Sequence, residues 1–505
     1  MRIANVRVVC QAAFLVLFFA ALYLAAAPRI AGYPVSVFLE ADPLTAVTTA
    51  LSTGHLYHEG PSGLWIAVGV LILTILLGRA FCGFVCPFGT LHHLTHRLGF
   101  SRKAKARRDG NAYRPLWRLK YWILAVFLAG AALGLLQIGL LDPIAFLTRA
   151  VTDAVFPAVD SGLRALGLPG IHPSATPWFP GAWFIGLLLV LFLGLNLWKP
   201  RFFCRALCPL GALLGLFSRF ALFRIHRDEA TCNGCDLCAT GCEGAAEPEK
   251  RVRLSECMVC MNCYEDCPEG AIRFRFLPPQ AGEIAGPEVG ARRAVLTAAG
   301  GFALMAFLDR SGGSLAASGG PGVIRPPGSL PEEEFLARCL KCDACLNVCP
   351  TNVLKPATLA GGFEGLWTPV LDFRSAYCEV TCTLCGQVCP TGAIERLTPA
   401  ERQGLAPRRD GRTEVTRVGT ASYDRGRCLP WAMDTPCVVC EEVCPVSPKA
   451  IFTREEQVAA RDGTVRRLGR PYVDPARCVG CGICEKECPI RGPAAIRVGS
   501  LITAI

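Results

Sequence analysis

Four apolar stretches lie in the first part of the chain, at roughly 8 to 27, 62 to 78, 119 to 141 and 181 to 198. Each is near the roughly 20 residues that carry a helix across a bilayer, so the pattern predicts four transmembrane helices. The first stretch is too long for a signal-peptide core and has no obvious cleavage site, and it is read as a permanent helix. Arg2 and Arg7 precede it, an acid-leaning loop with Glu40, Asp42 and Glu59 follows, and nine Lys and Arg then fall between Arg97 and Lys120 against the single acid Asp109. Lys199, Arg201 and Arg205 close the series. Basic loops stay inside, so both ends of this bundle are expected on the cytoplasmic face of an inner, multi-pass membrane domain.

Past about residue 225 the pattern turns polar and dense in cysteine. The expected organisation is a membrane domain over 1–224, a small soluble domain over 225–276, a Pro- and Gly-rich linker over 277–329, and a second cysteine-rich domain over 330–505. The linker holds Arg292-Arg293 and a short apolar run from Ala294 to Leu308, the layout of a twin-arginine export signal. The reading puts 225–276 in the cytoplasm and 330–505 in the periplasm.

Composition sharpens this picture. The mean hydropathy of +0.37 over 505 residues fits a chain partly in lipid. The net charge of +11 gathers largely in one loop, which argues for topology and against nucleic acid. The 29 cysteines suggest either disulfides or metal, and spacing decides.

Six groups read C-x2-C-x2-C-x3-C or a close variant, in which one loop gives three thiolates to a [4Fe-4S] cluster and the fourth crosses to a neighbour. In 225–276, one cluster is expected on Cys232, Cys235, Cys238 and Cys267, and another on Cys257, Cys260, Cys263 and Cys242. Glu243 stands where proline is usual after the first group. The C-terminal domain carries Cys339, Cys342, Cys345, Cys349; Cys378, Cys382, Cys385, Cys389; Cys428, Cys437, Cys440, Cys444; and Cys478, Cys481, Cys484, Cys488. The irregular second and third groups suggest nested pairing, first with fourth and second with third. Zinc sites favour separated pairs with histidine, which none of these groups uses.

Arg79-Ala-Phe-Cys82-Gly-Phe-Val-Cys86-Pro and Arg201-Phe-Phe-Cys204-Arg-Ala-Leu-Cys208-Pro form an internal repeat, each after an apolar helix. Their thiols suit a seventh metal site, two redox thiol pairs, or a structural turn. His92, His93 and His96 read as the solvated face of an interfacial helix, with a metal or quinone role as the alternative. Cys10 reads as apolar packing. The fold class is thus an α-helical transmembrane bundle joined to α+β bacterial-type two-cluster ferredoxin domains.

These residues carry a family resemblance. Residues 1 to about 276, with two C-x3-C-P motifs and a pair of ferredoxin groups, resemble NapH-type membrane ferredoxins. The part from Arg292, with Arg325-Pro326-Pro327-Gly328 and four ferredoxin groups, is similar to NapG and MauM. The resemblance implies a fusion of the two, taking electrons from membrane quinol without haem and passing them to a partner oxidoreductase. An accessory factor that keeps a client metalloenzyme reduced is the alternative. No Gly-rich dinucleotide fingerprint offers another electron entry.

Overall fold

The computed structural model describes residues 3–26, 36–54, 61–98, 104–170, 179, 181–278, 299–301, 303, 323–358, 362–459 and 463–500. Arg292, Arg293 and most of the apolar run after them lie outside the described residues.

The helical domain is two hairpins built alike. The first contains α1 (Ile3–Ala25), α2 (Pro43–Thr53), α3 (Pro61–Leu77), and the short α4 (Ala80–Phe84) and α5 (Pro87–Leu98). The second contains α6 (Leu119–Ala131), α7 (Pro143–Ala150), α8 (Ala182–Gly194), α9 (Phe202–Ala206) and α10 (Pro209–Phe217). The likeness extends beyond the cysteine motif. Asp42-Pro43 and Asp142-Pro143 open α2 and α7, and each Asp caps its helix, Asp42 Oδ1 accepting from Leu44 N at 2.9 Å and Asp142 Oδ1 from Ile144 N at 3.0 Å. Proline at the first helical position needs no donor there, and the carboxylate satisfies an orphan N–H.

Among the described residues one helix, Asn5–Ala25, is long and apolar enough to cross a membrane. The apolar helices Leu64–Leu77 and Ala182–Leu197 are shorter, so the four expected full-length spans reduce to one with shorter companions. The expected third span, 119 to 141, is helical only to Ala131. Gly134 at φ +86° turns the chain there, a conformation open to glycine at little cost, and a 3-10 turn at Ile138–Leu140 leads to the Asp142 cap.

The soluble part is a set of two-stranded antiparallel sheets. Strands β1 (Phe223–Arg227) and β2 (Ile272–Phe276) pair and bracket the first two cysteine groups. In the second domain β3 (Leu354–Pro356) pairs with β4 (Pro369–Leu371), and β5 (Thr420–Tyr423) pairs with β8 (Ile496–Gly499) around the hairpin of β6 (Ile451–Ala459) and β7 (Val465–Val473).

The two ferredoxin modules dock on opposite ends of the helical domain. At one end Arg7 of α1 donates to Cys260 O and Asn262 Oδ1, each at 3.0 Å, and Arg79 donates to Ser255 O at 2.9 Å. At the other, Asn347 donates to Leu22 O of the same α1 at 2.9 Å, Ser52 to Ala337 O at 2.6 Å, and Arg149 to Lys341 O at 2.9 Å. Arg7 and Leu22 stand about 22 Å apart along α1, at about 1.5 Å of rise per residue. One apolar core runs between the modules, holding Cys86 and Cys208 with Phe88, Phe146 and Phe203, and also Leu340 and Cys342 of the second module.

Candidate metal centre

Short helical turns at Leu237–Thr240 and Asn262–Glu265 carry the third cysteine of each loop, Cys238 and Cys263, into the interior. Cys257, Cys260 and Cys263 line one cavity together with Cys242 of the other loop. Cys238 and Cys267 lie in a common apolar cluster, while Cys235 is exposed, so the outer site of this module reaches the surface. Cys242 thus crosses to the Cys257 set in that cavity.

The second module pairs its groups differently from the nested order. Cys339, Cys342 and Cys345 line a cavity with Cys389, not with a thiol of the fourth group. The complementary set is Cys378, Cys382 and Cys385 with Cys349, whose charge acts on all three. Cys428, Cys437 and Cys440 line a cavity with Cys488, and Cys444 acts on Cys481 and Cys484. Groups therefore pair first with second and third with fourth. The physical reason is local closure: the Ser329–Ile394 bridge ties off the first pair and β5–β8 the second. The two halves meet where Cys378 N donates to Cys481 O at 2.9 Å.

Cys82, Cys86, Cys204 and Cys208, far apart in sequence, converge inside the helical domain. Burial raises the Cys86 and Cys208 thiols well above the ordinary value, and the neighbouring thiols of this set push further in the same direction. Among the described residues no three Cys, His, Asp or Glu side chains close on one point as a single metal ion would require. The ferredoxin cysteines line cavities instead, which suits a larger sulfur-bridged cluster.

Several residues that matter here carry no recognisable sequence signal. Glu243, standing in place of a proline, is 7% exposed and accepts from Arg7 at 2.8 Å and from Arg201 at 2.9 Å, with His93 at 3.0 Å. Burial opposes its charge, but Arg201, His93 and Arg7 outweigh that and hold the carboxyl well below its ordinary value. Burial likewise works against the Arg201 guanidinium, and Glu243, Cys204 and Cys260 outweigh it and raise it. Glu256 plays the same part for Lys120, Arg79 and Tyr121. The first module is thus plugged into the bundle by two buried carboxylates.

The histidine expectation is corrected. His92 is fully buried, stacked on Phe203 with centroids 5.9 Å apart and 2.6 Å from Asn196 Nδ2, and burial holds it near 3, so it is neutral. His93 is buried against Arg7 and Glu243. His93 faces the docking surface of the first module, whereas His92 packs against Asn196 and Phe203 in the other half of the helical domain.

Comparison with known proteins gives the chemistry its context. The 4Fe-4S binding domain family matches residues 59–107 and 179–228, the two halves that carry the C-x3-C-P motifs. The 4Fe-4S dicluster domain family matches 338–393 and 405–491, the same two pairs of groups that the fold brings together. Methylamine utilization ferredoxin-type protein MauM of Methylorubrum extorquens is 35% identical over 213 residues, 41% of this chain and 84% of its own length. Ferredoxin-type protein NapG of Escherichia coli is 35% identical over 173 residues, 34% of this chain and 68% of its own. Putative electron transport protein YccM of Escherichia coli is 29% identical over 242 residues, 47% of this chain and 62% of its own. No solved structure matches. With thiol-lined cavities at cluster spacing and this degree of likeness, the chain belongs to the MauM and NapG family of ferredoxin-type iron–sulfur electron-transfer proteins.

Proposed function

We propose that this chain is a membrane-bound electron conduit that draws electrons from membrane quinol and passes them through six [4Fe-4S] clusters to a partner oxidoreductase. The observation that carries the reading is the docking of two ferredoxin modules at opposite ends of one helical domain. When bound, the clusters would exchange single electrons; the chain's own part is to hold them in line. The six thiol quartets are the ligands, with Cys232, Cys235, Cys238 and Cys267 outermost at one end. In the second module, contact between the Cys378 and Cys481 loops joins its two halves into one series.

A multi-pass arrangement is supported by the outer surface of the helices. Val16, Trp65, Trp183 and Val190 are between 67% and 72% exposed. An apolar belt of that kind in water marks a surface that another apolar phase covers. The basic residues Arg7, Arg79, Arg201 and Arg205 gather at the end that holds the first module, which suits a cytoplasmic position for 225–276. Residues 330–505 then fall on the periplasmic side, delivered folded behind Arg292-Arg293, and the whole reads as a NapH-like membrane part fused to the MauM and NapG part. The domain limits proposed are 1–224, 225–276, 277–329 and 330–505.

The test is anaerobic reduction of the full chain in liposomes by a quinol analogue, followed by EPR. Reduction of clusters by the quinol, with about 24 Fe per chain for six clusters, is the expected result. Clusters that reduce with dithionite but never with any quinol would end the quinol assignment. A tag after Ile505 should label from the periplasmic side, and lose that access when Arg292 and Arg293 are changed to Lys.

A further inference from the structure

We propose that Asp42 and Asp142 form a proton-holding carboxyl pair inside the helical domain, which shares one proton and takes up a second when an electron enters the iron–sulfur-binding part of that domain. The inference rests on iron–sulfur electron transfer as read above and on no particular electron donor.

The internal repeat brings the two acids together. Asp42 caps α2 and Asp142 caps α7, at the same place in each hairpin, and both are 0% exposed. Their acceptor positions are nearly all taken. Asp42 Oδ1 accepts from Leu44 N at 2.9 Å and Oδ2 from Thr45 Oγ1 at 3.2 Å, while Asp142 Oδ1 accepts from Ile144 N at 3.0 Å and Ala145 N at 2.9 Å. Asp142 Oδ2 has no donor among the described residues, and the side chain to which its carboxyl is bonded is that of Asp42. Carboxylate oxygens accept and do not donate, so two carboxyls stand at bonding distance only with a proton between them. Burial raises both in the same sense.

The pair is placed to sense an electron. With one proton it keeps one negative charge, held by those helix N–H groups and by Arg149, which is 1% exposed. The charge of Asp142 reaches Cys86, within a segment that the 4Fe-4S binding domain family covers. An electron added there is a second negative charge in an apolar interior, where like charges repel strongly. One proton taken from water by the pair offsets it. One O–H bond forms, the electron comes from a neighbouring reduced ferredoxin cluster, and oxidation returns both.

The packed elements offer few competing groups. Helices α3, α8 and α10, which lie against α2 or α7, carry no charged or histidine side chain. On the other neighbours, Glu40 is tied to Arg396, Lys120 and Tyr121 to Glu256, and His92 to Asn196, while Asp153 faces Asp343. Glu332 and Glu334, on the helix packed at the far end of α2, pair with Arg325 and Arg338, and Glu333 is exposed.

Capping alone is the plainer account and fits less well. An N-cap needs one acceptor, which Asn or Ser supplies without burying two acids face to face. A bound cation would need more ligands than the pair offers, and among the described residues no three Asp, Glu, His or Cys side chains close on one point.

The test is redox-difference infrared spectroscopy of the full chain, with dithionite as reductant. Reduction should add a carboxylic C=O band that shifts in D2O. The potential of the helical-domain centre should fall as pH rises, by up to tenfold in its one-electron equilibrium per pH unit, about 59 mV. Band and slope should both vanish in the Asp42→Asn/Asp142→Asn variant, whose amides still cap both helices. Should that variant not fold, the unaltered chain decides: no carboxylic band on reduction and a potential flat with pH overturn the proposal. A band and slope that survive in the folded variant overturn it as well. Clusters that reduce with dithionite and never with quinol would end the quinol assignment while leaving these readouts in place, so the two failures are told apart.

Discussion

The ferredoxin quartets and the four-thiol cage of Cys82, Cys86, Cys204 and Cys208 are assembled on different plans. Each quartet whose cavity is resolved takes three thiols from one tight loop and one from a neighbour, as Cys339, Cys342 and Cys345 do with Cys389. The cage takes two thiols from each of two helix hairpins. The surroundings differ too. The quartet cavities are lined mainly by apolar residues and backbone, whereas the cage sits between Arg79 and Arg201. A loop-built site folds with its own loop, but a site built between hairpins exists only once the hairpins pack. The quartets can therefore form in modules that dock later, while the cage is tied to the assembly of the whole domain.

The largest expected effect tests the loop-built plan. Cys389→Ala should remove about four Fe from the site of Cys339, Cys342 and Cys345, and leave the site of Cys378, Cys382 and Cys385 with its four ligands. Cluster-resolved Mössbauer or EPR spectra of the variant read this directly. Loss of the local cluster instead would break the crossed, sequential pairing.

Docking comes next. Glu243→Gln leaves Arg7 and Arg201 buried without their carboxylate, and breaking a buried ion pair costs about 3–5 kcal/mol. Thermal unfolding in detergent should fall accordingly, with the second module unaffected. The pH sign follows from the depressed Glu243 carboxyl: its contribution is complete above the unfolded carboxylate range and is lost only as pH falls through the lower folded value. The Glu243 contribution is thus flat from pH 6 to 8, about the range over which no unfolded carboxyl titrates, whereas His92 and His93, both held below the ordinary imidazole value, take stability away as pH falls through about 6.5. A loss in that window larger than the two imidazoles account for would contradict the ion-pair account.

Smaller effects probe how charge enters an otherwise apolar quartet. Arg402 donates from Nη2 to Cys378 Sγ at 3.2 Å, which favours the reduced, more negative cluster. Arg402→Ala should lower that potential by tens of millivolts, about 59 mV for each tenfold change in the one-electron equilibrium. Tyr423 OH lies 2.9 Å from Cys440 Sγ, and Tyr423→Phe removes a neutral bond only, so a shift of the same sign but smaller size is expected in redox titration. An equal or larger shift for the tyrosine would undo the distinction between charged and neutral contacts.

What could be read beforehand follows the same division. C-x2-C spacing is a local geometric instruction, so the set around Cys257 and the crossing of Cys242 to it were legible. The pairing of the four later groups was not, because irregular spacing after Cys378 and Cys428 reflects loop length, while closure by the Ser329–Ile394 bridge and β5–β8 decides which groups meet. The C-x3-C-P repeat disclosed that two halves exist, though not that Arg79 and Arg201 face inward between them. Glu243 looked like a lost proline because its partners, Arg7 and Arg201, come from distant segments. His92 and His93 looked solvated for a related reason: helical spacing gives a face, but only packing tells what that face meets.

The docking of one module near Arg7 and the other near Leu22 of the same helix has an electrical consequence. Once that helix spans an energised membrane, an electron handed from the first module to the second does work in the field. With the inside negative, each electron moving outward gains roughly 2.3 kcal/mol per 100 mV, which is worth about a fiftyfold bias in its equilibrium. The conduit would then behave as a rectifier whose direction is set by voltage as much as by the potentials of its clusters, and collapsing the membrane potential would make the two ends communicate on equal terms.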